Sequence, residues 1–360
     1  MGAEGMRISL VTGGSGFVGQ HLVDLLCARG ERVRVFDRRP PARIHQSRGT
    51  DFEFLQGDIS DSDAVDRAMT GANSVFHLAA NPNLWARDSE DFARVNYGGT
   101  LNVLTAAERH RPERVVYTST ESIIAGLRGQ VAGSGMIDES AAPRAEDMPG
   151  PYCRSKFLAE RAALEAAERG LPVVVVNPTL PVGPGDSLQT PPTRMLLDFL
   201  NGRTPAYLEA EINMIDVRDV ALGHLLAAER GLIGRRYILG AENLKVSDLL
   251  ALLEDITGLP MPKRRIPYWL AYSYAAVDQF LADNVTRRPP RAPLTGVRLV
   301  RHPMNFDNRR ALAELGLRPR PVRHALTDAI AWFREQGLLS AAVATDSTVS
   351  RPLPDTSSAE

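Results

Sequence analysis

Three features of this 360-residue chain predict an α/β fold built on a doubly wound parallel sheet. Short β-branched runs alternate with segments of helical periodicity through the first half. A glycine-rich turn separates the first run from the first helical segment. Runs such as "LPVVVVNP" are apolar at consecutive positions, as in strands covered by helices on both faces.

The elements follow in order. "RISLVT" is the first strand and leads into "GFVGQHLVDLLCARG", where Val18, Leu22, Leu25 and Leu26 share a helical face and Gly30 ends the helix. "RVRVF" and "FEFLQ" are the next strands. A helix over "DSDAVDRAMTG", a strand in "SVFHLA" and a long helix over "DFARVNYGGTLNVLTAAERH" come after them. "RVVYTS" and "LPVVVVNP" add two more buried strands. Past Asn177 the rhythm breaks. Proline-rich loops, "PVGPGDSLQTPPT" and "TRRPPRAP", separate helices such as "VSDLLALLEDITG" and "RPVRHALTDAIAWFREQG".

Composition narrows the function classes. A formal net charge of -1 gives no reason to expect a nucleic-acid partner. Two cysteines, Cys27 and Cys153, exclude a disulfide framework, fit a reducing compartment and have no metal-ligand company, so no metal is expected. The start lacks a signal-peptide pattern and no apolar run reaches about twenty residues, which reads as a soluble cytoplasmic protein.

The turn "LVTGGSGFVGQHLV" carries the first chemistry. Its glycines fit G-x-G-x-x-G (Gly14, Gly16, Gly19) or G-x-x-G-x-x-G (Gly13, Gly16, Gly19). Absent side chains permit a tight turn and let backbone N–H groups approach a pyrophosphate at the helix start. Asp37 closes the second strand about twenty residues on, where a carboxylate meets a ribose 2′-OH and favours NAD. Arg38 and Arg39 follow directly and leave NADP open. The organisation expected is a dinucleotide-binding, Rossmann-type domain over 6–180. A small mixed C-terminal substrate lobe over 181–340 interleaves with the last sheet strands, and a Ser/Thr/Pro-rich tail over 341–360 is disordered.

"GPYCRSK" places Tyr152 four positions before Lys156, so both reach one cleft from one helix face. A phenol is a poor base at neutral pH. A neighbouring ammonium is expected to lower its pKa toward the working range.

In order, "TGGSGFVG", "GDISD", "HLAA", "VNYGGT", "VVYTSTES", "PYCRSK" and "VNPTLPVGPGD" resemble extended short-chain dehydrogenases/reductases, from about Arg7 to Leu339. The resemblance implies a seven-stranded, mainly parallel sheet and a homodimer formed through helices around 91–109 and 152–169. It implies that Tyr152 exchanges a proton with a substrate hydroxyl or ketone while Lys156 also binds the nicotinamide ribose. Thr120 would bond the reacting oxygen, and Asn96 would hold a helix kink and relay water. For the cofactor it implies contacts from Phe17 and Val18 in the glycine turn, from Asp58 and Ile59 at adenine, from Leu78, Ala79 and Ala80 along the cleft, and from Pro178 and Thr179 at the nicotinamide.

Departures from the family pattern bear on the substrate. Sugar dehydratases pair two acids after the threonine. Here Glu121 is followed by Ser122, and Glu121 reads first as a rim carboxylate and second as a group polarising the substrate. Where nucleotide-sugar enzymes often carry an arginine for the diphosphate, Ile212 stands, with Asn213 beside it, leaving Arg218 or Arg298 to compensate. "IPYWLAYSYAAVDQFLADNVTRRPPRAPLT" resembles the matching region of 3β-hydroxysteroid dehydrogenases. Its Tyr268, Trp269, Tyr272 and Tyr274 read as a helix packing on the core, as the wall of an apolar pocket, or as a surface in peripheral contact with a membrane near Arg287, Arg288 and Arg291. The whole chain also resembles the hopanoid-associated sugar epimerase group and dihydroflavonol reductases. The leading expectation is an NAD(P)-dependent oxidoreductase of a secondary alcohol or ketone on a bulky apolar, sterol- or triterpenoid-like substrate. The alternative is a nucleotide-sugar epimerase with tightly bound NAD.

Overall fold

The computed structural model describes residues 7–41, 52–126 and 135–340; the tail expected at 341–360 lies outside them. The strands are β1 (Ile8–Thr12), β2 (Arg32–Asp37), β3 (Phe52–Gln56), β4 (Ser74–His77), β5 (Arg114–Thr118), β6 (Val173–Pro178), β7 (Leu180–Val182), β8 (Ala206–Leu208), β9 (Glu211–Asp216), β10 (Arg236–Leu239), β11 (Glu242–Lys245) and β12 (Arg264–Ile266). The α-helices are α1 (Phe17–Ala28), α2 (Ser62–Met69), α3 (Glu90–Phe92), α4 (Gly99–His110), α5 (Glu121–Ala125), α6 (Pro151–Glu168), α7 (Pro191–Leu200), α8 (Val217–Arg230), α9 (Val246–Thr257), α10 (Tyr268–Leu281), α11 (Leu294–Leu299) and α12 (Val322–Glu335).

Seven strands form one sheet in the order β10-β6-β5-β4-β1-β2-β3, every neighbouring pair parallel. Parallel strands need crossover helices, and these cover both faces. Helices α2, α4 and α6 bury Val65, Val103 and Ala163 against one side, while α1 and α8 bury Leu22, Leu26 and Leu225 against the other. Val173, Val174, Val175 and Val176 are all without exposure, which is why that run is apolar at every position. The strand order reverses around β1, whose neighbours are β2 and β4, and this opens a crevice at the carboxyl ends of the strands.

The long helix expected over 91–110 is interrupted. Between α3 and α4 the backbone takes a π turn at Ala93–Gly98, and the Thr100 hydroxyl donates to the Asn96 carbonyl at 2.6 Å. Such turns spare backbone groups from the regular ladder and mark functional positions.

The lobe carries two small sheets. In one, β9 lies between β7 (parallel) and β11 (antiparallel); in the other, β8 pairs with β12. Its core gathers Leu196 and Leu200 of α7, Leu249 and Leu253 of α9, and Leu326 and Phe333 of α12.

Helix α10 corrects an expectation. It packs on the molecule through alanines: Ala271 and Ala275, with Ala282 of the following turn, are buried. Its large apolar residues face outward, so the aromatic segment is not a helix that buries them in the core. Four and seven residues apart, these small side chains share one side of the helix and let it approach closely, and this seam tolerates no bulk. Ala275→Leu is expected to destabilise the protein by about 1–3 kcal/mol through overpacking. Val277→Ser on the opposite face should change stability by no more than about 0.5 kcal/mol. Urea denaturation of the two variants checks the pair.

Candidate active site

The site begins where β1 turns into α1. Gly13 has φ +72°, and a Cβ there would lie 2.6 Å from the Ala79 nitrogen. At Gly19 a Cβ would lie 2.3 Å from the Gly13 carbonyl oxygen, so the helix meets the turn only as glycine. At Gly14 a Cβ would lie 2.9 Å from the Val35 methyl groups. Gly16 is the N-cap residue of α1; no side chain caps the helix and no acid lies in its first turn. The N–H groups of Phe17, Val18 and Gly19 therefore remain for an anion.

Asp37 ends β2, and its carboxylate accepts from the Ser15 N–H at 3.1 Å and the Arg39 N–H at 3.2 Å. Arg38 leans to within 4.0 Å of Asp58. Asp58, Ile59, Leu78, Ala79 and Ala80 line the same cleft, and Pro178 and Thr179 line its far end. Ile59 does double duty, since it is also buried against Gly99. A turn that any Cβ would obstruct, an uncapped helix start and a carboxylate at the end of β2 together fit NAD. The first two would hold the pyrophosphate and Asp37 the ribose.

Across the cleft lies a second group. Tyr152 and Lys156 sit on the first turns of α6, and Thr120 is the N-cap of α5. All three line the cavity, which measures about 970 Å³ and spans both the cofactor cleft and the lobe. The Lys156 ammonium donates to the Thr118 carbonyl at 2.6 Å and stands 4.7 Å from the Tyr117 ring centroid. Burial lowers its pKa to about 7, with the Glu160 carboxylate working the other way.

Tyr152 departs from expectation. Burial pushes its phenol above the ordinary value, the Glu121 charge adds to this, and the neighbouring Thr120 hydroxyl opposes it. The ammonium was expected to lower that pKa. Desolvation is instead the largest influence on the phenol, and Lys156 is directed at the Thr118 carbonyl. Tyr152 is thus a neutral phenol.

Glu121 is not a rim carboxylate. It is buried on the cavity wall, accepting from the Thr120 hydroxyl at 2.8 Å and the Ser122 hydroxyl at 3.2 Å, and burial raises its pKa. Sequence reading missed its depth, since exposure is decided by packing.

Asn96 stands apart from the cavity wall. Its Oδ1 accepts from the Asn81 N–H at 2.7 Å, and its Nδ2 donates to the Ser155 hydroxyl at 3.1 Å and the Asn81 carbonyl. Ser155 in turn donates to the Tyr152 carbonyl at 2.7 Å. Asn96 therefore ties the loop after β4 to the first turn of α6 and positions Tyr152 from behind.

On the lobe side, Ile212 is buried and lines the cavity where a cation was sought. Neither proposed substitute lies there. Arg218 pairs with Asp216 and Asp328, and Arg298 donates to the Pro149 carbonyl beside a separate surface groove. The cation that does line the lobe is Arg194 of α7, which donates to the Gln189 carbonyl and to Asn83 Oδ1. No sequence signal singled it out. Tyr268, Trp269, Tyr272 and Tyr274 are absent from the wall, so the apolar character comes instead from residues such as Met195, Phe199, Leu208, Leu299 and Phe306.

The chain matches the NAD dependent epimerase/dehydratase family over residues 9–240. It belongs to that family. Family membership and the cradle agree on NAD as the cofactor and on an oxidoreductase of the extended short-chain dehydrogenase type. Among its relatives, a Synechocystis protein with the provisional name dihydroflavonol 4-reductase is 41% identical over 331 residues, 91% of this chain and 94% of that protein. Sterol demethylase protein B of Methylococcus capsulatus is 34% identical over 332 residues, covering 92% and 99%. The crystal structure of gox2253 superposes with a TM-score of 0.79 at 37% identity, over 93% of this chain and 100% of that one.

Two outcomes follow. Asp37→Ala should weaken NAD binding roughly 10- to 100-fold, the worth of charge-assisted hydrogen bonds, and leave NADP binding almost unchanged; calorimetric titration with both nucleotides tests it. For Lys156, the folded pKa of about 7 lies below the ordinary 10.5. Between these values the unfolded chain binds more protons, so stability rises with pH, and below about 7 the buried ammonium is fully destabilising. Ligand-free Lys156→Met should therefore exceed the native protein in urea midpoint at pH 6, with the gap closing toward pH 10.

Proposed function

We propose that this protein interconverts a secondary alcohol and a ketone on a bulky apolar substrate of sterol or triterpenoid type. The observation that carries this reading is the apolar share of the lobe side of the cavity that Tyr152 also lines. It includes Ile212, Met195, Phe199, Leu208, Leu299 and Phe306, and burial of apolar surface is a force available to bind there. The printed name of the Methylococcus relative, sterol demethylase protein B, supports the same substrate class.

NAD, held by the glycine turn and Asp37, would accept hydride from the alcohol or, reduced, return it to the ketone. The chain's own residues handle the proton. Tyr152, neutral through burial, donates its proton to the ketone oxygen and takes it back when the alcohol is oxidised. Thr120, beside the phenol, bonds the reacting oxygen. Lys156, fixed on the Thr118 carbonyl at the end of β5, presents a cation at the cofactor's ribose. Homodimerisation through α4 and α6 in the cytoplasm belongs to the same proposal.

A second reading, nucleotide-sugar epimerisation, is favoured by one observation. Arg194 lines the lobe side of the cavity and is the cation there, among the described residues, that a diphosphate would meet.

The deciding experiment is turnover on purified protein with NAD, comparing polycyclic secondary alcohols with UDP- and dTDP-hexoses. Reduced nicotinamide should accumulate with the alcohols, and Tyr152→Phe should lower the rate about 10²- to 10⁴-fold. Full activity in Tyr152→Phe would remove the proposed proton chemistry. Conversion of one hexose to its epimer without net reduction of the cofactor would replace the first reading with the second.

A further inference from the structure

Helix α10 and the turn after it wear their apolar residues on the outside. Of the twelve large hydrophobic side chains exposed among the described residues, eight lie between Trp269 and Val285. Trp269 is 67% exposed and Phe280 63%. Leu270, Tyr274, Val277 and Leu281 follow the i, i+4, i+7, i+11 spacing of a single helix face, and Trp269 and Phe280 adjoin it. The buried alanines Ala271 and Ala275 occupy the other side.

Polar residues of α10 are turned the opposite way. The Asp278 carboxylate accepts from the Ala292 N–H at 3.0 Å, and the Gln279 side-chain oxygen accepts from the Leu294 N–H at 3.0 Å. Just beyond the helix, the Asp283 carboxylate accepts from the Trp85 indole N–H at 2.7 Å. The acids of this segment are thereby spent on tethering neighbouring loops. Ordinary surface helices place apolar residues inward and charges outward. This inversion exposes a contiguous apolar face far beyond the scattered single residues that need no explanation.

Charge at both ends indicates what covers it. Lys263, Arg264 and Arg265 precede α10, and Arg287, Arg288 and Arg291 follow it, all exposed. Among the described residues, no carboxylate pairs with Arg264, Arg265, Arg287, Arg288 or Arg291; Lys263 lies 3.7 Å from Glu254. An apolar face rich in Trp and Tyr, flanked by free cations, is complementary to an anionic bilayer: the rings enter the interface and the guanidinium groups meet headgroups. Helix α10 is linked to the active-site cavity through its neighbour α11. Helix α11 packs against α10, and its Gly296 and Leu299 line that cavity.

We propose that α10 and its basic flanks form a docking surface for an anionic phospholipid bilayer, seated beside the cavity on the lobe side. The chain rests on the membrane through this face and does not span it. The inference does not depend on the reaction proposed above, and its test requires no substrate.

Full-length protein is floated with vesicles of phosphatidylglycerol and phosphatidylcholine in equal parts, and with phosphatidylcholine alone. Binding should be confined largely to the anionic vesicles and should fall as salt is raised. Replacing Arg287, Arg288 and Arg291 together by glutamine should weaken it roughly a hundredfold, about fivefold for each charge. Trp269→Ser with Phe280→Ser should abolish it. NAD binding by each variant serves as the check on folding, and light scattering without lipid gives the oligomeric state. The proposal is overturned if the native protein ignores anionic vesicles, or if binding survives both sets of substitutions. It is equally overturned if the Trp269/Phe280 variant changes only the oligomeric state, which would make this face a contact between two copies.

Discussion

Everything in the site depends on all seven strands of the main sheet pointing the same way. Parallel alignment brings the ends of β1, β2, β4, β5 and β6 to one edge, so Gly13, Asp37, Leu78, Thr118 and Pro178 meet although they lie far apart in the chain. At β1 the order reverses, connections leave to opposite sides, and the crevice between them is the space a ligand enters. The close approach of Gly13 to Ala79 sets the width of that crevice. A side chain on either glycine of the cradle would push the first turn off the sheet edge.

Burial sets the chemistry of the opposite wall. The Lys156 ammonium and the Glu121 carboxyl are buried and Tyr152 is half-buried, and in each case desolvation is the largest influence on proton affinity. These groups remain aligned because each is tied to backbone or to a neighbouring hydroxyl. Lys156 rests on the Thr118 carbonyl, Glu121 on Thr120 and Ser122, and the helix start that carries Tyr152 on Ser155 and Asn96. Such ties preorganise the groups, a condition for effective electrostatic catalysis. The π turn at Ala93–Gly98 belongs to this support, since it turns Asn96 toward both α6 and the loop after β4.

The lobe presents two apolar surfaces. Inner residues such as Ile212 and Phe306 form the cavity wall, while α10 turns its alanines inward and its aromatic rings out. Small residues at the seam let the helix lie close to α11, so an outer surface and the wall of the cavity are a single helix apart. No helix among the described residues is long and apolar enough to cross a membrane.

The sequence by itself determined the sheet, the glycine cradle, Asp37 and the Tyr152–Lys156 pair. These rest on local rules: periodicity, turn chemistry and the fixed reach of neighbours on a helix. Asn96 and Thr120 were found through their place in family motifs, and the structure places one behind the cavity wall and one on it. What only the tertiary structure decided was depth and direction. Glu121 became buried, the Tyr152 phenol rose in pKa, Arg194 and not Arg218 came to face the cavity, and the "YWLAYSY" segment turned outward. Each outcome depends on which atoms crowd a group in space. When both faces of a helix are apolar, periodicity carries no information about which one meets the core, and close packing against α11 made that choice through the size of Ala271 and Ala275.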